Sequence, residues 1–137
     1  MKKLLLVSLL LCLSGCSLVS KIMSFDVDHF NGEEYSKATH LRATIALDEG
    51  KCGDQAFMKS ASEDINNQAF ELALYSQGIY GNQDAANLTA NLHLITSEFS
   101  KRYASVPTIS QAYCEDKMAI LLRTSTTVQK AIGGKQP

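Results

Sequence analysis

Ala85-Ala86-Asn87-Leu88-Thr89-Ala90-Asn91-Leu92-His93-Leu94-Ile95-Thr96-Ser97-Glu98-Phe99 carries the clearest period in the chain. Ala85, Leu88, Leu92, Ile95 and Phe99 succeed one another at steps of 3, 4, 3 and 4. An α-helix turns once every 3.6 residues, so that spacing lines up one apolar seam of the kind helices use to pack in bundles. Tyr80-Gly81-Asn82 marks where this helix begins, and Pro107 disfavours helical dihedrals at Val106, so the helix should end before it.

The same period recurs on both sides of this stretch. Upstream, Asn31 can accept from a first-turn amide while Glu34, three residues on, reaches back, the reciprocal arrangement of a capping box. A helix over 32–48 is predicted there, with Ala38, Leu41 and Ile45 on its apolar face and a glycine cap within Glu49-Gly50-Lys51. A second helix begins near Asp54, with Phe57, Ala61, Ile65, Ala69, Leu72 and Ser76 on one stripe. Downstream, Thr108 or Ser110 caps a fourth helix carrying Cys114, Met118, Leu121, Ser125, Val128 and Ile132, and Gly133-Gly134 closes it. No comparable stretch alternates with period two. Four amphipathic helices with short connections predict an all-α, antiparallel four-helix bundle over residues 31–137, because short loops make consecutive helices neighbours of opposite direction.

The first residues are of a different material. Met1-Lys2-Lys3 is a short positive start, and Leu4 to Leu13 is apolar except at Ser8 and Cys12. Ten residues of helix span about 15 Å, roughly half a bilayer's hydrocarbon core, so the stretch reads as an export signal rather than a permanent span. Leu13-Ser14-Gly15-Cys16 resembles the lipobox of bacterial lipoproteins, in which a Leu and two small residues precede a Cys that receives a diacylglycerol thioether before cleavage. The resemblance covers these four residues and assigns no family to the mature domain. It implies a signal peptide over 1–15, Cys16 as the lipidated mature N-terminus, and a tether over 16–30. Two or three acyl chains hold a protein at a bilayer effectively permanently, whereas one is marginal. Ser17 and Leu18 come after the cysteine where an Asp would favour inner-membrane retention, so in a Gram-negative source the resemblance implies the periplasmic face of the outer membrane.

Cysteine usage agrees with that compartment. With Cys12 lost in the signal and Cys16 taken by lipid, Cys52 and Cys114 remain, and an even remainder in an exported chain reads as one disulfide. In an up-down-up-down bundle both cysteines fall at the same pole. A catalytic or metal-binding thiol is the rival reading, but there is no CxxC and no second Cys or His at ligand spacing.

Composition narrows the function further. Without Lys2 and Lys3, 11 basic side chains face 14 acidic ones, a balance that excludes a polybasic nucleic-acid binder. His29, His40 and His93 form no HExxH or HxH, so neither metal nor cofactor is expected. No GxSxG is present, and Asp54, Glu115 and Asp116, close to predicted helix N-termini, are explained by favourable charge there. No enzyme or small-molecule substrate is inferred. Asn87-Leu88-Thr89 fits a glycosylation sequon, but Leu88 belongs to the seam. More suggestive are tyrosines with polar neighbours: Tyr75 and Tyr80 near one pole, Tyr103 and Tyr113 near the disulfide pole beside Lys101 and Arg102. Tyr and Arg anchor interfaces because they bury large rigid area and keep a polar handle. That pole is the candidate contact surface, against the plainer account that these tyrosines close the core at the loops.

Two functions fit. One is a membrane-anchored adaptor for an envelope protein, similar in architecture to the disulfide-stapled helical lipoproteins that pilot secretin subunits, where a partner helix lies in a groove. The other is an exclusion or immunity lipoprotein of phage or plasmid type, blocking a surface receptor or entry machine.

Overall fold

A computed structural model describes residues 30–134. Cys16, His29, the export signal and nearly all of the tether lie outside these residues. Four helices succeed one another: α1 (Gly32–Asp48), α2 (Gln55–Gly78), α3 (Gln83–Ser105) and α4 (Gln111–Gly133), with a short 3-10 turn, η1 (Glu49–Lys51), after α1. Each helix packs on its two neighbours in a ring, α1 against α2 and α4, and α3 against α2 and α4. This is the expected antiparallel four-helix bundle, and no strand occurs among the described residues. None of their helices is long and apolar enough to cross a membrane.

Local chemistry sets the helix ends. Asn31 accepts from the amides of Glu33 and Glu34, Asp54 from Phe57, and Ser110 from Tyr113, so three of four N-termini satisfy a first-turn amide with a side chain. Thr108 is therefore not the cap of α4. Val106 adopts an extended conformation and ends α3 one residue before Pro107. Gly81, with φ of 74°, makes the left-handed step between α2 and α3 that a side chain would disfavour.

Three local expectations are corrected. Glu34 does not complete a capping box: its side chain is fully buried, and Oε1 accepts from Asn82 Nδ2 at 2.7 Å, tying the start of α1 to the α2–α3 turn. Asn82 also donates to the Ser76 carbonyl, at 3.2 Å. Gly50 makes no left-handed cap, because Glu49 stays in the right-handed helical region and the chain tightens into η1. On α2 the stripe starts at Met58, which is fully buried, whereas Phe57 is 39% exposed.

The core runs the length of the bundle through Leu41, Ile45, Ile65, Leu72, Leu92, Phe99, Met118, Leu121 and Ile132. Each such side chain contributes roughly 1.5–3 kcal/mol by leaving water. On α3 the buried line is rotated from the predicted seam. Thr89 and Thr96 are fully buried, while Leu88 and Ile95 are only partly so. The reason is hydrogen bonding within the helix: Thr89 Oγ1 donates to the Ala85 carbonyl at 2.9 Å and Thr96 Oγ1 to the His93 carbonyl at 2.9 Å. A hydroxyl satisfied by its own helix costs little to bury, and its small side chain lets a neighbouring helix approach closely.

One carboxylate works against the fold. Asp48 sits at the C-terminal end of α1, where the helix dipole disfavours negative charge. Burial, with a further contribution from the nearby Asp64 carboxylate, pushes its pKa above the usual aspartate value. The charged form is thus disfavoured in the folded state, a cost present at neutral pH and relieved as pH falls through the raised pKa. Asp48→Asn should raise Tm at pH 7 by about 1–3 °C after allowing for solvent screening. The gain should vanish in acid, a difference that thermal melts at two pH values will measure.

Candidate contact surface and polar grooves

The disulfide pole is built from the end of α1, the start of α2, the end of α3 and the start of α4. Cys52, just after η1, is bonded to Cys114 in the first turn of α4, with Cα atoms 5.6 Å apart. Both are buried. A second tie lies alongside. Gln55, the first residue of α2, donates through Nε2 to the Ile109 carbonyl at 2.7 Å and accepts through Oε1 from the Ile109 amide at 3.0 Å. This two-point clamp holds the α3–α4 connection against α2.

The four candidate contact residues separate by environment. Tyr103 belongs to the core: it is 4% exposed and meets Phe99 edge-on with ring centroids 5.1 Å apart. Burial, reinforced by the neighbouring Tyr113, raises its phenol pKa, and its hydroxyl has no partner among the described residues. It lines a cavity of about 220 Å³ with Gln55, Lys59 and the chain from Ala104 to Pro107. Tyr103 thus does what the plainer account of these tyrosines expected, closing the core.

Tyr113 is half-buried. The Arg102 guanidinium carbon lies 5.9 Å from its ring centroid and Lys117 Nζ 5.7 Å away, so two cations flank one aromatic ring. Lys101 and Arg102 are exposed. Lys117 is the member of this group that the sequence pattern alone did not single out. Its signal was available: four residues after Tyr113 on a helix is the same face.

The opposite pole holds the chain's entry into the bundle. Tyr75 Oη contacts Asn31 Oδ1 at 3.3 Å and Glu33 Oε2 at 3.1 Å, so this tyrosine links the start of α1 to the end of α2. Tyr80 is 94% exposed in the α2–α3 turn. Of the histidines, His93 packs on Phe70 with ring centroids 5.0 Å apart, and His40 is exposed. No group of three or more His, Cys, Asp or Glu residues among the described ones is placed to hold a metal ion.

Two grooves line the flanks of α1. Between α1 and α2, Ser36, Lys37, His40, Gln68 and Glu71 surround about 230 Å³. Lys37 donates to Glu71 there, which lowers the Glu71 pKa and, against some burial, raises that of Lys37. Between α1 and α4, Tyr35, Arg42, Gln129, Lys130 and Gly133 surround about 400 Å³. Compared with protein-family models, with curated proteins and with solved structures, the chain matches none of them.

Proposed function

We propose that the protein is a lipid-anchored, non-enzymatic adaptor of the bacterial envelope, held by Cys16 at the periplasmic face of the outer membrane and contacting a protein partner through its disulfide pole. The observation that carries this reading is the bundle's polarity. Asn31, where the described chain enters, lies at one pole beside Tyr75 and near the α2–α3 turn. The Tyr113 ring with Arg102 and Lys117 lies at the other, beside the Cys52–Cys114 bond. A chain tethered through residues 16–30 would therefore turn the Tyr113 surface away from the lipid. The disulfide and the glutamine clamp stiffen that end, and a rigid surface loses less entropy when it binds.

The test is a photocrosslinking residue substituted at Tyr113 in intact cells, in chains with Cys16 and with Cys16→Ser. The expected result is a discrete adduct with an envelope protein that forms with Cys16 and is lost or strongly reduced with Cys16→Ser. A crosslinker at Leu94, which is 61% exposed on α3, should give no such adduct. Equal adducts from both positions, or none from Tyr113, would contradict the assigned surface.

A further inference from the structure

The α1–α4 groove stands apart from the disulfide pole in chemistry. From Tyr35 to Leu47 on α1, and from Lys117 to Gly134 on α4, the sequence contains no Asp or Glu. Arg42 and Lys130 face one cavity there, and among the described residues neither lies within ion-pair distance of a carboxylate. Cations left without a counter-ion beside a concave surface raise the local potential for anions.

The groove is also organised. Gln129 is its hub: Oε1 accepts from Arg42 Nη1 at 3.0 Å, and Nε2 donates to Thr39 Oγ1 at 2.8 Å and reaches the Tyr35 hydroxyl at 3.5 Å. Thr39 is itself fixed, since its hydroxyl donates to the Tyr35 carbonyl at 2.8 Å. Arg42 is thus oriented by a neutral amide, which leaves its charge whole and most of its N–H donors unspent. The Tyr35 hydroxyl, receiving from Gln129, has a proton to give.

Gly133 sets the end of the groove. A Cβ there would lie 2.8 Å from Tyr35 Cε2, so the absence of a side chain lets the tyrosine ring pack onto the last turn of α4. That turn's dipole opposes an anion, but the carbonyls of Lys130 and Ile132 are already taken by the Gly134 amide.

We propose that this groove binds a phosphate oxyanion, with the Arg42 guanidinium and Lys130 ammonium supplying charge-assisted hydrogen bonds and the Tyr35 hydroxyl a neutral one. Its volume lies within the ~300–1,000 Å³ of small-ligand sites, enough for a phosphate carrying an ester group. Free phosphate and a phospholipid headgroup share this chemistry. The site does not depend on the Tyr113 surface or on the state of Cys16.

The test uses the protein purified from its producing cells in a zwitterionic detergent, with amide NMR shifts tracked during titration. The probes are inorganic phosphate and glycerophosphoglycerol, a headgroup without acyl chains, at ionic strength matched with chloride. Saturable shifts at Gln129, Lys130 and Gly134 are expected, with dissociation constants in the millimolar range or tighter. Arg42→Gln and Lys130→Gln should each weaken binding by about tenfold, the effect of losing one charge-assisted bond, with little change in melting temperature. Tighter binding of glycerophosphoglycerol would assign a lipid headgroup, and tighter binding of inorganic phosphate would assign free phosphate; both support the site. Shifts that grow linearly and match those from chloride, or unchanged affinity in both variants, would overturn it.

Discussion

Leu92→Asp should abolish the cooperative melting of the domain. Leu92 is 1% exposed and lies midway along the α3 line that Ala85 and Phe99 continue at seven-residue intervals. Removing the leucine side chain alone costs about 2–5 kcal/mol. A carboxylate in its place adds the cost of an unpaired charge, which in practice drives protonation or unfolding. Against a typical domain stability of ~5–15 kcal/mol, that combined loss leaves little or no native state. Circular dichroism at 222 nm during a thermal scan would show a weak, sloping signal. Leu94→Asp provides the contrast, because Leu94 is 61% exposed two residues along the same helix and should shift stability by no more than about 0.5 kcal/mol. Equal, cooperative melts for both variants would mean that α3 turns a different face inward.

The second large effect is loss of the disulfide. Cys52 and Cys114 are 62 residues apart, and closing a loop of that size stabilises a fold by roughly 4 kcal/mol in the chain-entropy treatment. For a domain near 100 residues, each kcal/mol moves Tm by about 4–8 °C, so Cys52→Ala with Cys114→Ala should melt roughly 15–30 °C lower. The Gln55–Ile109 clamp spans much of the same loop and remains in the variant, which argues for the lower part of that range. Differential scanning calorimetry of the oxidised protein and the double variant measures the difference directly. A shift of only a degree or two would show that the clamp and the core already fix this pole.

These two predictions rest on features of unequal visibility in the chain. The four helices were legible because each repeats apolar side chains at helical spacing, and three of the caps use residue types whose oxygens accept amide hydrogen bonds. The rotation of α3 was not legible. Thr89 and Thr96 read as polar, and their burial is tolerated because their hydroxyls are satisfied by carbonyls of their own helix and, for Thr96, also by Asn66 Oδ1 at 3.3 Å. Phe57 and Met58 are both apolar, so the choice between them is made by α2's orientation against its neighbours rather than by either residue.

The surfaces were harder still. Glu34 looked like a local cap because Asn31 precedes it by three, yet it pairs with Asn82, 48 residues away. Gln55 with Ile109 and Arg42 with Gln129 are likewise pairs of distant residues, and no local pattern specifies them. Tyr103 and Tyr113 are indistinguishable by composition, but the first lies one turn beyond Phe99 on the buried line while the second sits at a helix start between two cations. The run of α1 and α4 without acidic residues was visible in the sequence. Its meaning emerges only when the two helices lie side by side.

The proposed function depends on lipidation of Cys16. Intact-mass and peptide mass spectrometry of the protein isolated from its own host's envelope tests it most directly. The expected result is a mature chain beginning at Cys16 whose N-terminal peptide carries the mass of a diacylglycerol thioether. A mature chain in which Cys16 is unmodified would contradict it.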